Sequence, residues 1–113
     1  MKKIEAIIRP EKLDAVRIAL ESEGYPGITI TDAEGHGTQK GAIQQWHGEK
    51  YKLEFLPKSK VEIVCKDQDA ERIVGTIVEA AFTGGVGDGK IFIYNVAEVV
   101  RIRTRERGEK ALA

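Results

Sequence analysis

A seven-residue stretch, Gly84-Gly85-Val86-Gly87-Asp88-Gly89-Lys90, gathers four glycines and a lysine around one carboxylate. Glycine permits positive φ and close backbone approach, so such a run can turn N–H groups toward phosphate oxygens, with Lys90 adding charge. Gly84, Gly89 and Lys90 satisfy most of the Walker A spacing. That reading fails because Ile91 stands where Ser or Thr would bind magnesium, and because the loop leaves a helix to enter a strand. An ordinary turn into a strand accounts for the same glycines. A second candidate is Arg101-Ile102-Arg103, continued by Arg105 and Arg107. In an extended segment residues two apart share a side, so Arg101 and Arg103 would converge on one polyphosphate with fork geometry suited to its oxygens. A solvated stripe is the plainer account, and the glycine loop makes the phosphate reading more attractive.

A third candidate is the polar stretch from Gly35 to about Glu54, which holds Trp46 and Tyr51. A structureless run of that length is uncommon in a small domain and suits a partner-binding segment, the alternative being that Trp46 folds back onto the body. Lys58 follows Pro57 and is placed either to meet a carboxylate or to sit solvated at a strand edge. His36 and His47 are isolated, and no Ser-His-Asp or Cys-His arrangement is evident.

The elements around these candidates follow from periodicity. Ile4, Ala6 and Ile8 alternate with Glu5, Ile7 and Arg9, a first strand. Pro10-Glu11 starts a helix carrying Leu13, Val16 and Leu20, which Gly24 ends. Ile28 to Thr31 reads as a second strand and Val61, Ile63 and Cys65 as a third, with Cys65 in the core. Asp67 is the expected N-cap of a helix whose stripe is Ala70, Ile73, Val74, Ile77, Val78 and Ala81. Thr83-Gly84-Gly85 stops it, and a fourth strand begins at Ile91 and runs to Val96. The order is the split βαβ, an α+β ferredoxin-like βαββαβ fold with a long exposed loop between strands 2 and 3. One domain spans residues 1–113, with the loop at about 37–55, the glycine-rich loop at about 82–90 and a charged segment at about 101–113.

Composition narrows the function. Lys+Arg and Asp+Glu are 18 each, a net charge of +0, which removes the simplest case for nucleic-acid binding. One cysteine excludes an intrachain disulfide and a cysteine-rich zinc site. No apolar run approaches the roughly 20 residues that span a bilayer. Glu5 interrupts any secretory apolar run after Met1-Lys2-Lys3-Ile4, so a soluble, cytoplasmic protein is expected. Charged residues reach 32%, compatible with a heat-adapted source.

Taken together and in order, three stretches resemble the PII nitrogen-regulatory signal proteins across almost the whole chain. They are Gly35-His36-Gly37-Thr38-Gln39-Lys40-Gly41, Phe55-Leu56-Pro57-Lys58, and Thr83 with Gly87-Asp88-Gly89-Lys90-Ile91-Phe92. The resemblance implies a homotrimer with ATP or ADP in the clefts between subunits. Gly87, Asp88, Gly89 and Lys90 would hold the phosphates, and Arg101 and Arg103 would reach in from a neighbour. Ile7, Gly35, Glu62 and Val64 would surround adenine and ribose, with Thr38, Gln39 and Thr83 also at the nucleotide. Gln39 would ligate a Mg²⁺ shared by ATP and 2-oxoglutarate, and Lys58 would pair with the distal carboxylate of 2-oxoglutarate, near Arg9, Gly41 and Gly87. Such shared-metal binding makes the two ligands cooperative.

The resemblance also implies a regulatory protein, not an enzyme, with slow ATP hydrolysis at most. Its targets would be an ammonium transporter, the only route to the membrane, or a nitrogen-assimilation enzyme or regulator. Trp46, His47 and Tyr51 would meet that partner. Tyr51 occupies the position that is uridylylated in some bacteria, but its lead-in Trp46-His47-Gly48-Glu49-Lys50 departs from the usual modification motif. Three alternatives stand beside this reading. One is an adenine-nucleotide sensor indifferent to 2-oxoglutarate. Another is a phosphoryl-transfer enzyme, which needs a positioned base that no histidine near the loop supplies in sequence. The last is an RNA-binding module, for which Phe92 and Tyr94 lack the surrounding motif.

Overall fold

The computed structural model describes the backbone of residues 1–46 and 49–113, and the side chains of residues 1–33 and 56–113. Strand β1 (Lys2–Ile8) alternates as its sequence demands, with Ile4, Ala6 and Ile8 buried on one face. Pro10 opens a 3-10 turn (Pro10–Lys12) that leads into α1 (Leu13–Ser22), which buries Val16 and Leu20. Gly24, at φ +92°, ends α1 in a Schellman motif. Its N–H donates to Glu21 at 3.0 Å, and the Tyr25 N–H reaches back to Leu20 at 2.8 Å.

Strands β2 (Thr29–Trp46) and β3 (Glu49–Cys65) follow, then α2 (Ala70–Ala81) and β4 (Gly89–Asn95). The sheet is antiparallel in the order β2-β3-β1-β4, and both helices cover one face, the ferredoxin-like α+β arrangement. Helix α2 presents Ala70, Ile73, Ile77 and Ala81 to Ile4, Val61, Ile63 and Cys65. Burial pushes the Cys65 thiol pKa up, with Asp69 nearby adding to the effect.

Four expectations change. The stretch between strands 2 and 3 is paired backbone: β2 and β3 run out as a ribbon, with Gly35 opposite Leu56, Gln39 opposite Lys52, and a register shift between Lys40 and Gln44. The ribbon lengthens the molecule to 58 Å along its long axis and raises the radius of gyration to 17.3 Å. A compact chain of this length has about 13 Å. Asp67 is not an N-cap. It is the first residue of a 3-10 turn, and its carboxylate takes the Met1 amino group at 3.0 Å, which holds its pKa below the usual range. Val78 leaves the buried stripe and is exposed beside a cavity. Strand β4 begins two residues early, at Gly89, and stops at Asn95.

Candidate functional site

β1 and β4 pair so that Ile8 stands opposite Gly89, which brings the flanking residues Arg9 and Asp88 together. Arg9 Nε donates to Asp88 Oδ1 at 3.1 Å, and Arg9 Nη2 donates to the Val86 carbonyl at 2.8 Å. The close pairing requires glycine: a Cβ at Gly89 would stand 1.7 Å from the Ile7 carbonyl oxygen, and its φ is +103°. From β3, Lys58 Nζ donates to the Gly87 carbonyl at 2.8 Å. The Asp88 carboxylate accepts the Thr83 N–H at 2.8 Å, the Gly84 N–H at 2.9 Å and the Thr83 hydroxyl. The Thr83 hydroxyl in turn accepts the Gly85 N–H at 3.1 Å. These bonds, the Thr83 hydroxyl first and then the Thr83 N–H, with Gly84 and Arg9 adding to them, hold the Asp88 carboxyl pKa well below the usual range.

The direction of two loop N–H groups follows from peptide geometry. No peptide bond among the described residues is cis, and in a trans peptide the C=O and the following N–H point oppositely. The Val86 carbonyl faces Arg9 and the Gly87 carbonyl faces Lys58. The Gly87 N–H, in the peptide with the Val86 carbonyl, therefore points away from Arg9, and the Asp88 N–H, in the peptide with the Gly87 carbonyl, points away from Lys58; two consecutive donors of this kind are what an anion nest uses. Gly87 makes the turn at φ +101°. A cavity of about 300 Å³ opens beside the loop, walled by Ile7, Val78, Phe82 and Ile91 and touching Asp88, Gly89 and Lys90.

The structure thus brings Arg9, Lys58, Thr83, Gly87, Asp88 and Gly89 into one cluster. Ile7, Glu62, Val64 and Lys90 share the sheet face opposite the helices, spread along the strands; Ile7 and Lys90 also border the cavity beside the loop, and Glu62 and Val64 do not. Glu62 lies 3.5 Å from both Lys3 and Lys60 there. Tyr94 donates its hydroxyl to Glu5 at 3.0 Å, a bond that raises its pKa. The side chains of Thr38, Gln39, Trp46 and Tyr51 lie outside the described residues, as does His47 altogether; Gly35 and Gly41 are placed only as backbone in the ribbon.

Arg101 and Arg103 depart from the extended arrangement expected of them. Residues 102–104 form a turn, closed by the Val100–Arg107 bridge and by Arg105 at φ +64°. Arg101 donates to Glu106 Oε1 at 2.6 Å, to the Lys110 carbonyl at 2.9 Å and to the Ala113 carbonyl, while Arg103 is exposed. Within one chain the two guanidiniums do not converge on the glycine loop. Sequence reasoning missed the Arg9–Asp88 pair and the role of Glu106. The first was recoverable only from strand register. The second was signalled by an acidic residue and Gly108 following the arginines.

The family model described as nitrogen regulatory protein P-II matches residues 1–106. The chain is similar to nitrogen regulatory protein P-II 2 of Methanothermobacter thermautotrophicus, 54% identical over 112 residues, covering 99% of this chain and 97% of that one. It is also 54% identical to nitrogen regulatory protein P-II of Rhizobium meliloti, over 99% of this chain and all of that one. Among solved structures, Arabidopsis thaliana PII bound to citrate matches with a TM-score of 0.80 at 40% identity, over 98% of this chain and 88% of that one.

Proposed function

This chain belongs to the nitrogen regulatory protein P-II family, and we propose that it senses ATP or ADP and, with Mg-ATP, 2-oxoglutarate. Its ribbon passes that state to a target protein. The observation that carries the nucleotide reading is the outward pair of N–H groups at Gly87 and Asp88, which suits an oxyanion and leaves the loop carbonyls to Arg9 and Lys58. Lys90 is exposed one residue past Gly89 and supplies a cation to the same anion.

A dianionic oxoacid fits beside it. Lys58 has two further N–H groups for a carboxylate. The Arabidopsis relative is a PII bound to citrate, itself a polycarboxylate, which supports a carboxylate effector here. Among the described residues no group of three or more His, Cys, Asp or Glu could hold a metal. Mg²⁺ would therefore take its oxygens from ATP, from the oxoacid and from Gln39. ADP, lacking the γ-phosphate, leaves that set incomplete. Assembly as a homotrimer would bring Arg101 and Arg103 to a neighbour's phosphates. Half-exposed Phe92 and Tyr94, on the sheet face away from the helices, offer surface for it. The target is an ammonium transporter or a nitrogen-assimilation enzyme, met through Trp46, His47 and Tyr51. No helix among the described residues is long and apolar enough to cross a membrane, so membrane recruitment would come through the partner.

Isothermal titration of 2-oxoglutarate, with Mg-ATP and again with ADP, tests this reading. Binding is expected only with Mg-ATP and is lost in Gln39→Ala. ATP binding without any response to 2-oxoglutarate would leave a sensor of energy charge alone. Failure to bind any adenine nucleotide would overturn the reading.

A further inference from the structure

A carboxylate at an anion site opposes phosphate binding by simple repulsion. Asp88 stands in that position, and the structure shows where its charge goes. Its oxygens lie on the Arg9 side of the loop, occupied by Arg9 Nε, the Thr83 and Gly84 N–H groups and the Thr83 hydroxyl. The Gly87 N–H points away from Arg9, opposite the Val86 carbonyl, and the Asp88 N–H points away from Lys58, opposite the Gly87 carbonyl. The loop is also wrapped closely over the guanidinium. A Cβ at Gly85 would come within 3.3 Å of Arg9 Nη2, and one at Gly87 within 3.4 Å. Arg9 serves two acceptors at once, Asp88 through Nε and Val86 through Nη2. The planar fork fixes both bonds in one geometry, whereas a lysine ammonium is a point charge whose donors rotate freely.

We propose that Asp88 is a positioning residue: with Arg9 it braces the glycine loop so that the Gly87 and Asp88 N–H groups face outward, and its side chain touches no part of the bound nucleotide. The inference rests on the nucleotide reading above. Thr83 is the third leg of the brace, donating to Asp88 and accepting from Gly85. Arg9, rather than standing free for a ligand, already has two of its N–H groups engaged by the loop. A carboxylate that draws on Arg9 therefore also pulls on the phosphate loop.

The test combines ATP titrations with amide hydrogen exchange of the unliganded protein, for wild type, Asp88→Asn, Arg9→Met and the double variant. Each single change is expected to weaken ATP binding roughly tenfold. The double variant should be no more than about twofold worse than the weaker single, because both remove one brace. Amides of residues 83–88 should exchange faster in Asp88→Asn, while the helix amides stay protected. Arg9→Lys should not restore binding. Thr83→Val keeps every charge and should give a smaller loss, which keeps the test open if Asp88→Asn folds poorly. Losses that multiply to about a hundredfold in the double variant would show that Arg9 and Asp88 act independently rather than as one brace, and would overturn the proposal. So would ATP binding in Asp88→Asn as tight as in wild type. Wild-type protein that binds no ATP would instead overturn the nucleotide reading, and loop exchange unchanged by Asp88→Asn would overturn the brace, so the two failures are read separately.

Discussion

At the glycine loop the cations come from elsewhere: Arg9 from the end of β1 and Lys58 from β3, each taking a loop carbonyl and leaving N–H groups on the far side. At the basic turn of residues 100–107 the cation belongs to the turn itself. Arg101 closes onto Glu106 and onto carbonyls at Lys110 and Ala113, so its donors are engaged within its own segment. Both regions read as phosphate-binding in the sequence. Formal charge therefore does not decide which of them offers a site. What decides is whether the surrounding chain already satisfies the donors. The loop holds two backbone N–H groups directed away from the cations that take their peptides' carbonyls. Three acceptors already draw on Arg101 within its own segment, so a role for that guanidinium at a second chain, as proposed above, would have to compete with them.

Glycine substitutions break this comparison most strongly. At Gly89 an added Cβ meets the Ile7 carbonyl oxygen at 1.7 Å, so β1 and β4 must part. Gly89→Ala is expected to cost at least about 3 kcal/mol in urea denaturation. At Gly108, with φ +75° and open space around it, alanine should cost only about 1–2 kcal/mol for the left-handed backbone. Equal losses would mean that the loop is no more tightly seated than the turn.

Acid separates the regions next. The Asp88 carboxyl pKa is lower in the folded chain than the unfolded value of about 3.9. Its contribution to stability is therefore complete above that value and is lost as pH falls below about 4 toward the depressed folded value. Melting temperatures should drop more between pH 5 and pH 3 in wild type than in Asp88→Asn, and a parallel decline would remove Asp88 from the account. The smallest effect is expected at the turn. The Arg101–Glu106 pair is partly solvated, so Glu106→Gln should cost less than about 1 kcal/mol, and less still at high salt.

Much of this was legible in the sequence, for identifiable reasons. Alternation in Ile4, Ala6 and Ile8, the 70-73-77-81 stripe and Gly24 each report a burial or backbone requirement that one segment states by itself. The ribbon was not legible, because its residues, with Gly35, Gly37 and Gly41 among polar neighbours, carry no apolar alternation to signal the backbone pairing. The Arg9–Asp88 pair joins residues 79 positions apart and follows only once Ile8 is registered against Gly89. At Asp67 a cap-forming residue was visible, but its competitor, the Met1 amino group, comes from the far end of the chain. The alternating arginines suggested an extended strand. Arg105 at φ +64° and the acceptor at Glu106 made a turn instead.

The central claim is that the glycine loop presents the Gly87 and Asp88 N–H groups to an anion. Following backbone amide signals of isotope-labelled protein during ATP addition tests it most directly. The account predicts the largest shifts at Gly87 and Asp88, with the Thr83 and Gly84 amides, already held by the Asp88 carboxylate, moving far less. Shifts centred on residues 101–110, with the amides of Gly87 and Asp88 unmoved, would contradict it.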